Sequence, residues 1–220
     1  MFEKLKLWMD PVARSGPEAM AVDEWSLGLE MGAFLRVYRW QGEWGSVGYF
    51  GKLREAEADF PGLRWVRRWT GGGTVDHRRD WTYSLVIPPG EAAFFLKGAE
   101  SYRLIHEALA GALNEVGISA SLSSGKGETG ASACFENPVC HDLIDAQGAK
   151  VAGAGQRRTK SGLLHQGSVA LKNSADSLGV AEAFAGRLAR RWEGVELEPK
   201  EAEIAVFRER YEREEWLGKR

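Results

Sequence analysis

The sequence is short of several things, and each shortage removes a class of protein. It has only two cysteines, Cys134 and Cys140. That is too few for a disulfide framework and, unless histidines join, for a structural zinc site. It has no apolar run long enough for a membrane span, and its start, MFEKLKLWMDPVARSG, lacks the apolar core of a signal peptide. It has little net charge: 29 Lys and Arg stand against 31 Asp and Glu, for a total of −2. A near-neutral chain argues against general nucleic-acid binding. It has no internal repeat and no low-complexity tract. These absences leave a cytoplasmic globular protein in a reducing compartment, with neither membrane nor nucleic acid as a partner and with no metal site.

What is present suits one sizeable core. A chain of 220 residues, 44% of them hydrophobic, fits a single large domain better than two. The nine tryptophans are core or pocket wall, because each brings large apolar area. Spacing predicts a first helix from Pro17 to Met31 and strands at Ala33–Trp40, Ser46–Phe50, Arg64–Trp69 and Thr82–Pro88. The clearest helix runs from Ser101 to Val116, with Ile105, Leu109, Leu113 and Val116 on one face and Gly117 as its stop. A Gly-rich loop, Ser123–Ala133, precedes a hairpin that turns at Ala146–Gly148. The hairpin carries Lys150 on one strand, and His165 lies on the strand after it. Two charged helices close the chain, roughly Ser177–Trp192 and Lys200–Trp216. This order predicts an α+β domain with a curved, mixed or antiparallel sheet flanked by helices.

Three stretches can carry chemistry. In RRWTGGGTVDH, from Arg67 to His77, three consecutive glycines cost backbone entropy. They serve either a plain bulge or a place where a ligand meets backbone N–H groups. Alternation sends Arg67 and Arg68 to opposite faces, so at most one lines a pocket. His77 reads either as a hydrogen-bonded core histidine or as a site residue. In AKVAGAGQRR, Lys150 stands among small residues that leave room beside the strand. It is either a surface lysine or a fixed cation for a carbonyl oxygen. Cys134, in SACFENP, is either a small buried hydrophobe or a thiolate nucleophile. Cys140 is the competing thiol, expected at a more packed strand start. Arg157, Arg158, Lys160, Arg78 and Arg79 read as solvated loop charge or as a local basic docking surface.

Taken together these segments resemble the lipoate–protein ligase, octanoyltransferase and biotin–protein ligase catalytic domain family. EAMAVDEW resembles its opening helix. FLRVYRW with SVGYF resembles its arginine-tryptophan strand and its glycine-containing second strand. RRWTGGGTVDH resembles its Arg-Arg-x-Thr-Gly-Gly-Gly loop, KVAGAGQRR its lysine strand, HQGSV its following strand and RYEREEW its closing helix. The resemblance covers nearly the whole chain and implies one catalytic domain over residues 1–220 with no C-terminal accessory domain. It implies a substrate-binding loop at Arg67, Arg68, Gly71, Gly72, Gly73 and His77. Lys150 would touch the acyl carbonyl, and Gly153, Gln156, His165 and Gly167 would form the far wall. The branch with a cysteine upstream of the lysine strand uses that cysteine as nucleophile, which would be Cys134. That branch often has Gln-His-Gly-Ser, whereas here the order is His165-Gln166-Gly167-Ser168. The implied activity is transfer of an octanoyl group from acyl carrier protein, through a cysteine thioester, to a lysine of a lipoyl domain or glycine-cleavage H protein in lipoate biosynthesis. No cofactor is needed for it. The alternatives are an ATP-dependent lipoate–protein ligase and a non-catalytic acyl- or carrier-protein-binding module.

Overall fold

The computed structural model describes residues 1–125, 139–171 and 177–219. The elements run β1 (Phe2–Met9), α1 (Gly16–Ser26), β2 (Ala33–Tyr38), β3 (Trp44–Val47), α2 (Leu53–Asp59), β4 (Arg64–Arg67), β5 (Thr74–Asp76) and β6 (Trp81–Ile87). They continue with α3 (Gly98–Glu115), β7 (Ser121–Leu122), β8 (Leu143–Ile144), β9 (Lys150–Arg158), β10 (Leu163–Val169), α4 (Ser177–Leu188), β11 (Ala189–Gly194), α5 (Glu201–Glu212) and α6 (Glu214–Leu217). Eight strands form a large sheet in the order β11-β1-β2-β6-β10-β9-β8-β7, and β4-β3-β5 form a small one. The large sheet is mixed. β1 runs parallel to β2 and β11, and the β2, β6, β10 and β9 neighbours are antiparallel.

Strands β2, β6 and β10 are buried along their whole length, so both sheet faces are covered. One face packs its leucines and valines against α3 and α4, around Ile105, Leu109 and Phe184. The other packs Phe34, Val86 and Leu164 against Met20 and Val22 of α1, with Ile204 and Tyr211 of α5 behind. Helix α1 starts where Glu18 accepts both the backbone N–H and the hydroxyl of Ser15, at 3.0 and 2.6 Å, and Pro17 suits its first turn. It is buried nearly all round, because it lies between the sheet and α5.

Two expectations need correction. The helix expected over Ser177–Trp192 stops at Leu188, and Ala189–Gly194 instead pairs with β1 as an outer strand. Its Arg190, Arg191 and Glu193 face solvent, which is how an edge strand avoids further pairing. Such a strand shows no apolar alternation to read. The first helix also ends at Ser26, with Leu27 as its cap. No helix among the described residues is long and apolar enough to cross a membrane.

Candidate active site

A narrow cleft opens where α1, the small sheet and the β9–β10 face of the large sheet meet. Met20, Tyr38, Trp40 and Val75 give it apolar walls, and Arg68, His77, Gln166 and Ser168 give it polar ones. Gly153 and Gly155 of β9 and Gly167 of β10 line its floor.

Lys150 lies beside that floor. A Cβ added to Gly153 would sit 2.8 Å from the Lys150 Nζ and 3.2 Å from Asp142 Oδ1. The amine therefore occupies the place a side chain at 153 would take. Lys150 and Asp142 side chains are almost wholly buried, and Nζ donates to Asp142 Oδ2 at 2.6 Å. Asp142 is itself fixed. Its Oδ1 accepts from the Tyr102 hydroxyl at 2.5 Å, and its Oδ2 accepts from the Val139 N–H at 2.9 Å. Tyr102 also accepts the Ala154 N–H at 2.9 Å. The turn that delivers Asp142 puts His141 in the left-handed region, φ 71°, an uncommon place for a residue with a side chain. Burying an ammonium is costly unless it is paired, so this site holds its cation by a matched anion and a tight bracket.

The glycine loop is held by Arg68. Its guanidinium donates to the carbonyls of Ser46, Gly71 and Gly73 at 3.0, 3.3 and 2.8 Å, and to Ser46 Oγ at 2.6 Å. Gly72 has φ +94°, and its carbonyl presses on Gly48 so closely that a Cβ at 48 has no room. Arg67 points the other way. It donates to the carbonyls of Gly48, Tyr49 and Gly51 and to those of Trp216 and Leu217 in α6, at 2.8–3.1 Å. Arg67, called as a substrate-loop residue, thus clasps backbone, while Arg68 lines the cleft.

His77 stacks on Trp40, with ring centroids 4.0 Å apart and planes 20° from parallel. Ser46 Oγ accepts from Arg68 and meets His77 Nε2 at 2.6 Å. The His77 Nδ1–H donates to Asp80 Oδ2 at 2.7 Å. Both ring nitrogens are engaged, and the imidazole acts as a rigid wall. Asp80 Oδ2 also accepts from Thr82 and Ser168, at 3.0 and 2.5 Å. Gln166 reaches the cleft between Thr70 and Asp23: its amide N–H donates to Asp23 Oδ2 at 2.7 Å and its carbonyl accepts from Thr70 at 2.8 Å. Asp23 lies at the centre of a buried network that also takes Arg36, Ser84 and Tyr38. Burial, then the Asp23 charge, pushes the Tyr38 phenol well above its ordinary range.

His165 and Gln156 face α3 instead of the cleft. His165 bonds to the Tyr83 hydroxyl and to Gln156, both at 3.0 Å, and Gln156 also meets Ser101. Burial, then the His106 charge, lowers His165 well below the ordinary histidine value. His106 itself donates Nδ1–H to the His141 carbonyl at 2.6 Å, and burial lowers it to about 4. Of the residues named from sequence, Arg68, His77, Gly153 and Gly167 line the cleft, and Lys150 stands beside its floor. Gly71, Gly72 and Gly73 shape the loop above it. Cys134 lies outside the described residues. Cys140, expected in a packed strand start, is exposed in the turn before Asp142. Sequence reasoning did not pick out Asp142, Asp80, Gln166 or Trp40. The only signal for Asp142 is an acidic residue at a strand mouth near a lysine strand.

Comparison with known proteins agrees with this layout. The family model described as the lipoyl protein ligase A/B catalytic domain matches residues 17–189. Octanoyltransferase LipM of Brevibacillus brevis is 34% identical over 175 residues, covering 72% of this chain and 63% of the relative. Octanoyltransferase LipM of Carboxydothermus hydrogenoformans is 36% identical over 181 residues, covering 78% of this chain and 66% of the relative. The chain thus spans a little under two thirds of the length of each. A crystal structure of lipoate-protein ligase A bound with ATP has the same fold, with a TM-score of 0.71 at 20% identity over 99% of both chains. A glycine loop clamped by one arginine, a lysine bracketed against a glycine floor and a family match over most of the sequence lead to one assignment: the chain belongs to the lipoyl protein ligase A/B catalytic domain family.

Proposed function

We propose that the chain is an octanoyltransferase that moves an octanoyl group from acyl carrier protein to a lysine of a lipoyl domain or glycine-cleavage H protein, with residues 1–220 as one catalytic domain. Cys134 thiolate attacks the carrier thioester: a new C–S bond forms, the old one breaks, and the carrier leaves as a thiolate. The acceptor amine then attacks the Cys134 thioester. A C–N bond forms, the C–S bond breaks, and the proton from nitrogen goes to the released Cys134 sulfur. Thioester-to-thioester exchange is nearly balanced, so no nucleotide drives it. Lys150 stabilises the oxyanion at each tetrahedral stage, and its fixed bracket means that little reorganises as charge develops. The apolar walls hold the acyl tail at roughly 0.8 kcal/mol per buried methylene. A free thiol nucleophile suits the reducing cytoplasm.

The observation that carries this reading is the Lys150 amine held 2.6 Å from Asp142 against the glycine floor of the cleft. The transferase is favoured over an ATP-dependent ligase because relatives at 34% and 36% identity are named octanoyltransferases, whereas likeness to the ATP-bound structure is one of fold. The test is intact mass spectrometry after mixing with octanoyl carrier protein. One octanoyl mass should appear on the wild type and on Cys140→Ala, and be lost in Cys134→Ala. An adduct that survives Cys134→Ala and vanishes in Cys140→Ala would move the nucleophile to the exposed thiol. Acyl transfer that requires ATP and free acid would make the chain a ligase.

A further inference from the structure

We propose that the tip of the β9–β10 hairpin, with the two segments beside it, is the docking surface for the folded domain that carries the acceptor lysine, and that this domain meets it with carboxylates. The proposal rests on the transferase reading above. Strand β9 leaves the cleft at Gly155 and ends in Arg157 and Arg158. The Arg157 guanidinium lies over the rings of Tyr49 and Trp69, at 5.0 and 4.6 Å. Tyr49 meets Phe50 edge-on, and Phe50 is 82% exposed. On the far side Arg158 lies over Phe94 at 4.8 Å. Phe94 meets Phe95 edge-on, and Phe95 is 76% exposed. Two arginines are thus flanked by two large apolar rings that face water, with Lys160 exposed in the adjoining turn.

The charges on this strip differ from many elsewhere, although Arg64 likewise rests on a ring, that of Trp44, and donates to a carbonyl. Arg36, Arg103, Arg187, Arg208 and Arg210 each meet a carboxylate, and Arg78 is held by Asp76. Arg157 and Arg158 instead rest on rings and donate to the carbonyls of Trp69 and Leu96. Neither they nor Lys160 forms an ion pair among the described residues. A guanidinium lodged on an aromatic face is pre-positioned yet keeps its charge for a partner. Exposed phenylalanines around such cations match the composition of a protein interface. A small anion makes no use of the rings, and three cations on a chain of net charge −2 are too few for a long polyanion. The acceptor is the better occupant of the two protein substrates on geometric grounds. A lysine side chain is shorter than the pantetheine arm of a carrier, so the acceptor body must come closer to the cleft. The strip begins about 13 Å along the extended strand from Gly153.

The test is the double variant Arg158→Glu/Lys160→Glu, with Phe95→Ser as a second variant that leaves charge untouched. Loading of Cys134 from octanoyl-N-acetylcysteamine, read by intact mass, should match wild type in both. With an apo lipoyl domain as acceptor, KM should rise about tenfold in the charge variant while kcat stays within about twofold. Added salt should raise the wild-type KM and leave that of the double variant nearly flat. Phe95→Ser should raise the acceptor KM several-fold without changing its salt dependence. Normal loading with an unchanged acceptor KM, or a KM raised for the carrier donor alone, overturns the docking proposal. A wild-type chain that does not load overturns the transferase reading, and the docking proposal with it.

Discussion

On the cleft side of β9 and β10 stand Gly153, Gly155, Gln166 and Ser168. On the side facing α3 stand Ala152, Gln156, His165 and Val169, packed with Tyr83 and His106. Both sides mix small residues with polar ones, and strand alternation alone divides them. What separates them is room. On the cleft side a glycine leaves a gap that a lysine amine reaches from the strand's first residue. On the α3 side imidazole, phenol and carboxamide close on one another with bonds of 3.0 Å. The first arrangement keeps polar atoms beside a cleft, and the second uses them up within the core. A histidine placed one residue earlier than the related branch has it therefore changes from wall to support.

The largest expected effect tests the cleft side. Lys150→Met should lower octanoyl transfer by roughly 10²–10³-fold, as loss of a fixed oxyanion partner does. It should also destabilise the fold, because Asp142 is left buried without its cation. Adding Asp142→Asn should recover the melting temperature but not the rate; recovery of both would show that Lys150 is support only.

The next effect tests the α3 side by pH. The unfolded chain takes up a proton on His106 near pH 6.5, and the native chain does so only near 4. Between those values the unfolded state binds more protons, so stability falls as pH drops through the window and levels off below it. The loss should reach up to about 3 kcal/mol, read by urea denaturation at pH 7, 5.5 and 4. His106→Phe should reduce the slope without abolishing it, because His165 is shifted in the same direction. An unchanged slope in His106→Phe would place His106 in contact with water.

The smallest effect sharpens the boundary between the two sides. Gly153→Ala puts a methyl where the Lys150 amine now lies. The expected result is a fall of about tenfold in kcat, worth ~1.4 kcal/mol, with KM for the carrier nearly unchanged. A variant with full kcat would mean that the amine works from elsewhere.

Much of this was legible in the chain. The Lys150 hairpin, the Ser101–Val116 helix and the glycine loop carry period, turn and stop signals that survive into the fold. β11 did not, because an edge strand facing water on both sides has no alternation to show. At the site, Lys150, Gly153, Arg68 and His77 stand in patterned stretches. Asp142 and Asp80 are single acids in turns, and only the tertiary fold brings them to a lysine and a histidine. Gln166 was hidden by one residue of register, which in a strand decides the face.

The Arg67 clasp has a mechanical consequence. One guanidinium ties the last helical turn to the bend after β3, and the indole N–H of Trp216 returns a bond to the Arg67 carbonyl at 3.0 Å. The end of the chain and the strand that leads into the glycine loop therefore loosen together. Amide exchange in that loop should report on tension applied at residue 217, far along the sequence from the cleft it frames.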